Sequence, residues 1–145
     1  MPLSARAAIA LAAGLAFAGP ALAQRPARPD DFLGLTRCEA GQAVTEVRED
    51  VRSSSLRKEI EAHEAVHRQQ AAAFPSCEAF LATLTTARRI IDSELPAYCA
   101  QWKVAIRAGA DPVTTRLEYA WRIAAQSGAM ENRLDIAHRF QRECT

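Results

Sequence analysis

The chain has 145 residues, with 18 basic and 17 acidic side chains. Charges this evenly balanced, with no basic stripe, argue against nucleic acid and against an anionic membrane surface as partners. The chain contains four cysteines, Cys38, Cys77, Cys99 and Cys144. None of them forms a C-x-x-C pair, so a thiolate metal site is not expected.

Residues 1–23 have the features of a cleavable signal peptide. Arg6 supplies a positive start, residues 7–19 form an apolar run of 13 residues, and "ALA" at 21–23 offers the small residues that a signal peptidase recognises. The run is shorter than the roughly 20 apolar residues of a membrane-spanning helix, so no stable membrane anchor is expected. We therefore predict a periplasmic or secreted protein, in which four cysteines would form two disulfides.

The exported part of the chain is predicted to begin with an irregular arm over residues 24–52. Prolines near its start disfavour regular structure, and only "QAVTEV" at 42–47 alternates enough to form one short strand. Residues 53–145 follow a helical pattern and are predicted to form the functional domain.

Three long helices are predicted within that domain, over residues 53–74, 76–108 and 112–142. Serines offer the first N-cap, Pro75 ends the first helix, and "GADP" at 109–112 separates the second from the third. Pro96 should kink or split the second helix, because proline removes a backbone donor and clashes one turn back. The predicted fold class is all-α: a small antiparallel helical bundle with one helix kinked at Pro96, an irregular N-terminal arm and two disulfides.

Antiparallel packing suggests which cysteines meet. Cys77 and Cys144 are about equally far from the turn near residue 110, so they would lie level, which leaves Cys38 for Cys99. Pairing of Cys77 with Cys99 is disfavoured, because one helix would hold them roughly 33 Å apart at about 1.5 Å per residue. A third arrangement, Cys38–Cys77 with Cys99–Cys144, stays open if Pro96 bends the second helix sharply.

The segment "EIEAHEAVHRQQ" at 59–70 contains the pattern H-E-x-x-H. Its two histidines, His63 and His67, lie one turn apart and can each direct a ring nitrogen to one ion at roughly 2.0–2.1 Å. Glu64 projects beside them, where it could take a proton from a water molecule on the metal. Apolar residues continue the same spacing of three and four: Leu56, Ile60, Ala71 and Phe74. The histidines are thus expected on the inward face, where buried neutral histidines bonded to neighbours are the alternative interpretation.

Residues 63–67 resemble the metal-binding helix of the zincins, a large group of zinc metallopeptidases defined by this motif. The resemblance covers these five residues and a candidate third ligand. It departs from the metzincin continuation, because Gln70 and Ala73 stand where glycine and a third histidine would be, so the glutamate type of zincin is the better comparison. The resemblance implies one Zn²⁺ ion and hydrolysis of a peptide or similar amide bond.

In zincins of the glutamate type, the third ligand is a carboxylate from a later helix, and Glu94 is the predicted ligand here. Side chains lean towards their own helix N-terminus, so on antiparallel helices Glu94 and the histidines lean towards one another. Tyr98 shares the face of Glu94 and could donate a hydrogen bond to a developing oxyanion, with an ordinary core tyrosine as the alternative.

The last helix offers further candidates. His138 could be a transition-state donor or the third ligand itself. Glu131 and Asp135 lie within the neighbouring turns and could bind the metal or orient a ligand ring. An exposed surface role is the alternative for all three residues.

These features predict an exported zinc-dependent hydrolase in which Glu64 activates a water molecule on the metal. Its partner would be a peptide or protein substrate, with the cell wall as one source. The alternative is a non-catalytic periplasmic interaction protein with structural or metal-binding histidines. A metal-buffering protein is a weaker third interpretation, because the chain has only 3 histidines.

Overall fold

The computed structural model describes residues 33–144 of the chain. The predicted signal peptide and residues 24–32 of the predicted arm lie outside the described residues. Within residues 33–144, none of the helices combines the length and the hydropathy that a membrane crossing requires.

The described chain is mostly helical, with one small sheet. Its elements are β1 (Gly34–Glu39), β2 (Gln42–Val47), α1 (Ser54–Ala72), α2 (Cys77–Leu81), α3 (Ala87–Arg107), α4 (Pro112–Ser127) and α5 (Arg133–Glu143). Side-chain oxygens of Ser53, Thr86 and Asp111 accept backbone amide hydrogens at the starts of α1, α3 and α4. Each of these caps satisfies a donor that the first helical turn leaves unpaired.

The first two strands form an antiparallel hairpin in which Gly34 lies opposite Val47 and Glu39 lies opposite Gln42. Strand β2 has the bounds that the sequence predicts. The prediction of an irregular arm is wrong from Gly34 onwards, because β1 occupies residues 34–39. The turn consists of Ala40 and Gly41, which have φ values of 50° and 81°. Alanine rarely adopts a positive φ, so this turn lacks the Asn-Gly signal that would indicate a hairpin.

The predicted helix over residues 76–108 is two helices. Helix α2 ends at Leu81, and α3 begins at Ala87 after the Thr86 cap. Between them, the Thr83 hydroxyl donates to the Phe80 carbonyl at 2.7 Å, and such local bonds compete with helical backbone pairing. Helix α3 continues through Pro96. The break therefore lies about ten residues before Pro96, the position at which the sequence predicted a kink or a split.

The predicted helix over residues 112–142 is also divided. Helix α4 ends at Gly128, whose φ of 70° is the left-handed conformation that glycine adopts without a Cβ clash. A 3₁₀ turn at Met130–Asn132 then leads into α5, which packs against both α4 and α3.

The core of the described residues has two parts. The larger part lies between α3, α4 and α5 and includes Leu95, Tyr98, Ile123 and Phe140, each with 0% exposure. The smaller part lies under β1 and α2 and includes Phe80 and Leu81. Helix α1 packs against α3 on one side and the hairpin on the other, so its inward face lies between the sheet and the bundle.

Two disulfides connect these parts. Cys38 of β1 is bonded to Cys77 of α2, and Cys99 of α3 is bonded to Cys144 after α5. The preferred prediction of Cys77–Cys144 with Cys38–Cys99 is therefore wrong, because it assumed unbroken helices on both sides of residue 110. The breaks at 82–86 and near Gly128 redirect the chain, and they allow the pairing that the sequence left open. Two disulfides indicate a location outside the cytoplasm.

Peptide mapping of the unreduced protein should recover the crosslinks Cys38–Cys77 and Cys99–Cys144. Replacing Cys99 and Cys144 together with serine should lower the free energy of unfolding by about 2–4 kcal/mol, because that bond closes a long loop of the unfolded chain. Urea denaturation of the double variant measures the loss. Recovery of a Cys77–Cys144 peptide would contradict this pairing.

Candidate metal centre

The predicted metal ligands come from two helices that pack against each other. His63 and His67 lie on α1, and Glu94 lies on α3. All three side chains have 0% exposure, and Ile60 and Ala71 on the same stripe of α1 are buried with them. The apolar spacing therefore placed the histidines on the inward face, as predicted.

The ligand atoms of these residues converge on one point. The Nε2 atoms of His63 and His67 lie 3.1 Å apart. The two oxygens of Glu94 lie 3.4 Å from Nε2 of His63 and 3.5 Å from Nε2 of His67. Ligands at about 2.0–2.1 Å from a tetrahedral ion are separated from one another by roughly 3.3–3.4 Å. Within the described residues, His63, His67 and Glu94 thus form a group that could hold a metal ion.

The carboxylate of Glu94 has no hydrogen-bond donor. Both of its oxygens are buried, and neither makes a hydrogen bond to any part of the described chain. A buried carboxylate without donors is costly unless a cation compensates it. Two imidazole nitrogens and one carboxylate form a ligand set suited to a zinc-like divalent ion, so the residues present fit such an ion.

Burial also determines the protonation of the cluster. Loss of solvent lowers the pKa of His63 to about 4, and it lowers the pKa of His67 although Glu94 acts in the opposite direction. Loss of solvent raises the pKa of the Glu94 carboxyl. Neutral imidazoles are the form that binds metals, whereas the carboxylate would need a nearby cation to be stable in its charged form.

Glu64 lies beside the ligands and is also fully buried. Its Oε2 accepts a hydrogen bond of 2.6 Å from the Thr36 hydroxyl, whereas its Oε1 has no hydrogen-bond partner among residues 33–144. Burial raises the pKa of this carboxyl, which the neighbouring His63 partly offsets. One oxygen of Glu64 is thus held in place and the other is free to accept a proton.

Strand β1 approaches Glu64 closely because residue 34 is glycine. A Cβ at Gly34 would lie 2.3 Å from Cγ2 of Ile60 and 3.1 Å from Oε1 of Glu64. Gly34 and Thr36 both lie against Glu64, and the sequence did not predict these contacts. Both lie in the stretch predicted to be irregular, and alternation around Thr36 would have been the only local signal.

Tyr98 lies against His63, with ring centroids 4.5 Å apart and rings nearly perpendicular. Its hydroxyl is buried without a partner in the described chain, and burial raises its pKa well above the usual value. Gln101, one turn further along α3, is another buried polar residue near His63, and it partly offsets the lowering of the His63 pKa by burial. Tyr98 therefore belongs to the same buried group, but its role as an oxyanion donor stays a prediction.

His67 contacts Gln70, which is in turn bonded to Ser93 of α3. Its Nδ1 lies 2.9 Å from Oε1 of Gln70. The amide nitrogen of Gln70 donates to the Ser93 carbonyl at 2.8 Å, and the Ser93 hydroxyl donates to Gln70 Oε1 at 3.0 Å. These bonds join α1 to α3 directly beside the metal ligands.

The residues predicted from the last helix do not join the cluster. His138, Glu131 and Asp135 are exposed on or just before α5, so the expectations of a catalytic role for His138 and of a ligand among the three are not supported. The reason is the break near Gly128, which directs α5 away from the path of a single long helix. Glu118, the carboxylate of α4, is paired with Arg122.

Comparison with models of protein families, with curated proteins and with solved structures finds no match to this chain. The interpretation of the metal centre therefore depends on its own residues and geometry.

Replacement of Glu94 by glutamine should change how the stability of the metal-free protein depends on pH. The raised pKa means that the folded protein holds the Glu94 proton more tightly than the unfolded chain does. In the unfolded chain, the pKa of this carboxyl is near 4.5. The stability that Glu94 contributes is present below that pH and is lost as pH rises. Glu94→Gln should therefore gain stability relative to the parent protein between pH 4.5 and 8, measured by urea unfolding with a chelator present. A stability difference that stays constant with pH would contradict this, and exposed Glu61→Gln is the control.

Proposed function

We propose that the protein is an exported zinc-dependent hydrolase that cleaves a peptide or similar amide bond. His63, His67 and Glu94 would hold the zinc ion, and Glu64 would be the general base. The observation that supports this most strongly is that two imidazole nitrogens lie 3.1 Å apart, and each lies within 3.5 Å of an oxygen of a buried carboxylate that has no hydrogen-bond partner in residues 33–144. Glu64, which adjoins His63 in the sequence and is buried with this group, would add the proton acceptor that hydrolysis needs.

The chemistry divides between the ion and the protein. A bound zinc ion would supply Lewis acidity, which favours attack of water on a substrate carbonyl. Glu64 would be the general base, and its Oε1, which has no hydrogen-bond partner in residues 33–144, would hold the proton before it passes to the leaving amine. Thr36 holds the other oxygen at 2.6 Å, so the carboxyl presents the same atom throughout. Burial raises the pKa of Glu64, which brings this base closer to neutral pH.

Tyr98 is the proposed donor to the developing oxyanion. Its raised pKa keeps the hydroxyl protonated at neutral pH, and its hydrogen has no acceptor within the described residues. The ring is fixed by contacts with His63 on one side and Tyr119 on the other. A preorganised donor of this kind stabilises the transition state more than the ground state.

Access to the site requires movement of the protein. The side chains of His63, Glu64, His67, Glu94 and Tyr98 all have 0% exposure. The hairpin lies directly on Glu64 through Gly34 and Thr36, so its displacement from α1 would open the site beside the general base. The Cys38–Cys77 bond ties the hairpin to α2 and would limit that displacement. A peptide segment fits such a narrow opening better than a folded protein.

Complete burial also favours a second candidate function. Structural zinc sites are closed, whereas catalytic sites keep a position open for water or substrate. In this second candidate the ion would only tie α1 to α3, and the protein would be a non-catalytic interaction protein outside the cytoplasm. The two candidates share the metal ligands and differ in whether Glu64 has a chemical role.

The protein purified from an export host without added metal should contain about one equivalent of zinc. His67→Ala should lose the ion, because only one imidazole and one carboxylate would remain. Elemental analysis measures the content, and thermal unfolding should show that zinc stabilises the parent protein by about 3 kcal/mol at 100 times its Kd. His138→Ala, at an exposed histidine outside the cluster, is the matched control. Equal zinc content in both variants would reject the site.

Glu64→Gln should keep zinc and lose hydrolysis. Glutamine retains an acceptor for Thr36 but cannot take up a proton, so the rate should fall by roughly 10²–10⁴-fold. The measurement is release of amines from denatured protein and cell-wall peptides, with zinc content determined on the same samples. Exposed Glu61→Gln should behave like the parent protein. If the zinc-loaded parent and Glu64→Gln are equally inactive on all substrates, the structural candidate is favoured instead.

A further inference from the structure

We propose that Gln70, held by Ser93, is a positioning residue that keeps the proton of His67 on Nδ1 and leaves the Nε2 lone pair directed at the metal. The proposal rests on the proposed metal centre and adds the residues that orient one of its ligands. Neither Gln70 nor Ser93 belongs to the H-E-x-x-H pattern or to the predicted ligand set.

The hydrogen bonds around Gln70 determine which of its side-chain atoms is the nitrogen and which ring nitrogen of His67 carries the hydrogen. The Ser93 carbonyl can only accept, so the Gln70 atom 2.8 Å from it must be the amide nitrogen. The other side-chain atom of Gln70 is then the oxygen, which can only accept. That oxygen lies 2.9 Å from Nδ1 of His67, so Nδ1 must carry the hydrogen. In a neutral imidazole, Nε2 is then the unprotonated nitrogen.

The oxygen of Gln70 is itself fixed from the other helix. The Ser93 hydroxyl donates to it at 3.0 Å, so Ser93 contacts both ends of the Gln70 amide. Ser93 directly precedes Glu94, so the same residue that fixes the amide adjoins the carboxylate ligand. The orientation of His67 is thus coupled to the position of α3, which carries the third ligand.

His63 and His67 differ in whether Nδ1 has a hydrogen-bond acceptor. Nδ1 of His63 makes no bond of standard hydrogen-bond geometry within residues 33–144, whereas Nδ1 of His67 has a fixed acceptor. Residues that orient a metal-binding histidine typically change metal affinity 10–100-fold when they are removed. The effect of Gln70 should therefore be on the state of the His67 ring and on zinc affinity, with little change in the fold.

The first test is the tautomer of His67 in the metal-free protein, read from ¹⁵N–¹H long-range NMR correlations at pH 7.5. The parent protein should show the proton on Nδ1. Gln70→Leu, which removes the acceptor for Nδ1, should shift His67 towards the Nε2-protonated form. A parent protein with Nε2 protonated, or a Gln70→Leu variant with an unchanged His67 tautomer, would overturn the proposal.

The second test is zinc affinity, measured by competition with a chelator. Gln70→Leu should bind zinc 10–100-fold more weakly. Gln69→Leu, at the exposed neighbouring position, should bind zinc as tightly as the parent protein. If Gln70→Leu does not fold, Ser93→Ala, which removes one of the bonds to the Gln70 oxygen, should weaken binding by a smaller factor. Parental affinity in the folded Gln70→Leu variant, or in Ser93→Ala if that replaces it, would overturn the proposal.

These tests separate the two hypotheses. If the parent protein binds no zinc, the proposed metal centre fails and the role of Gln70 towards the metal fails with it. If the parent binds zinc while the Gln70 variants match it, the metal centre stands and the positioning role alone is rejected.

Discussion

The structure depends on a carboxylate buried between two imidazoles. Glu94 is fully enclosed at the contact between α1 and α3, without a hydrogen-bond donor in the described chain and within 3.5 Å of both ligand nitrogens. Removal of a charge from water costs several kcal/mol, and a cation is the usual compensation. Glu94 is therefore unstable in its charged form unless an ion accompanies it.

The rest of the fold holds this group in place. Helix α3 carries Glu94 on one face and packs with α4 and α5 to form the larger apolar core. That core, together with the Cys99–Cys144 bond, offsets the cost of burying polar side chains. On the other side, the hairpin brings Thr36 onto Glu64 and is tied to α2 by Cys38–Cys77. The polar group is thus enclosed by two separately stapled units, and movement of one relative to the other would expose it.

The sequence predicted that His63, His67 and Glu94 would lie together, but not which residues would surround them. Helical spacing placed His63 and His67 on the inward face, and Glu94 was predicted from the lean of side chains on antiparallel helices. The break at 82–86 explains the match: the connection between α1 and α3 is centred near residue 80, which brings Glu94 about level with residue 65. The same breaks made the disulfide prediction wrong. Thr36 and Ser93 could not be predicted as partners of Glu64 and Gln70, because those contacts depend on how the hairpin and α3 dock onto α1.

A crystal structure of the purified protein, with anomalous data collected at the zinc edge, is the most direct test of the proposed metal centre. We expect one strong peak within about 2.0–2.2 Å of Nε2 of His63, Nε2 of His67 and an oxygen of Glu94. The crystals must come from protein that was never treated with a chelator. A map in which no ion lies at this point, and in which the Glu94 carboxyl bonds directly to an imidazole, would contradict the proposed metal centre.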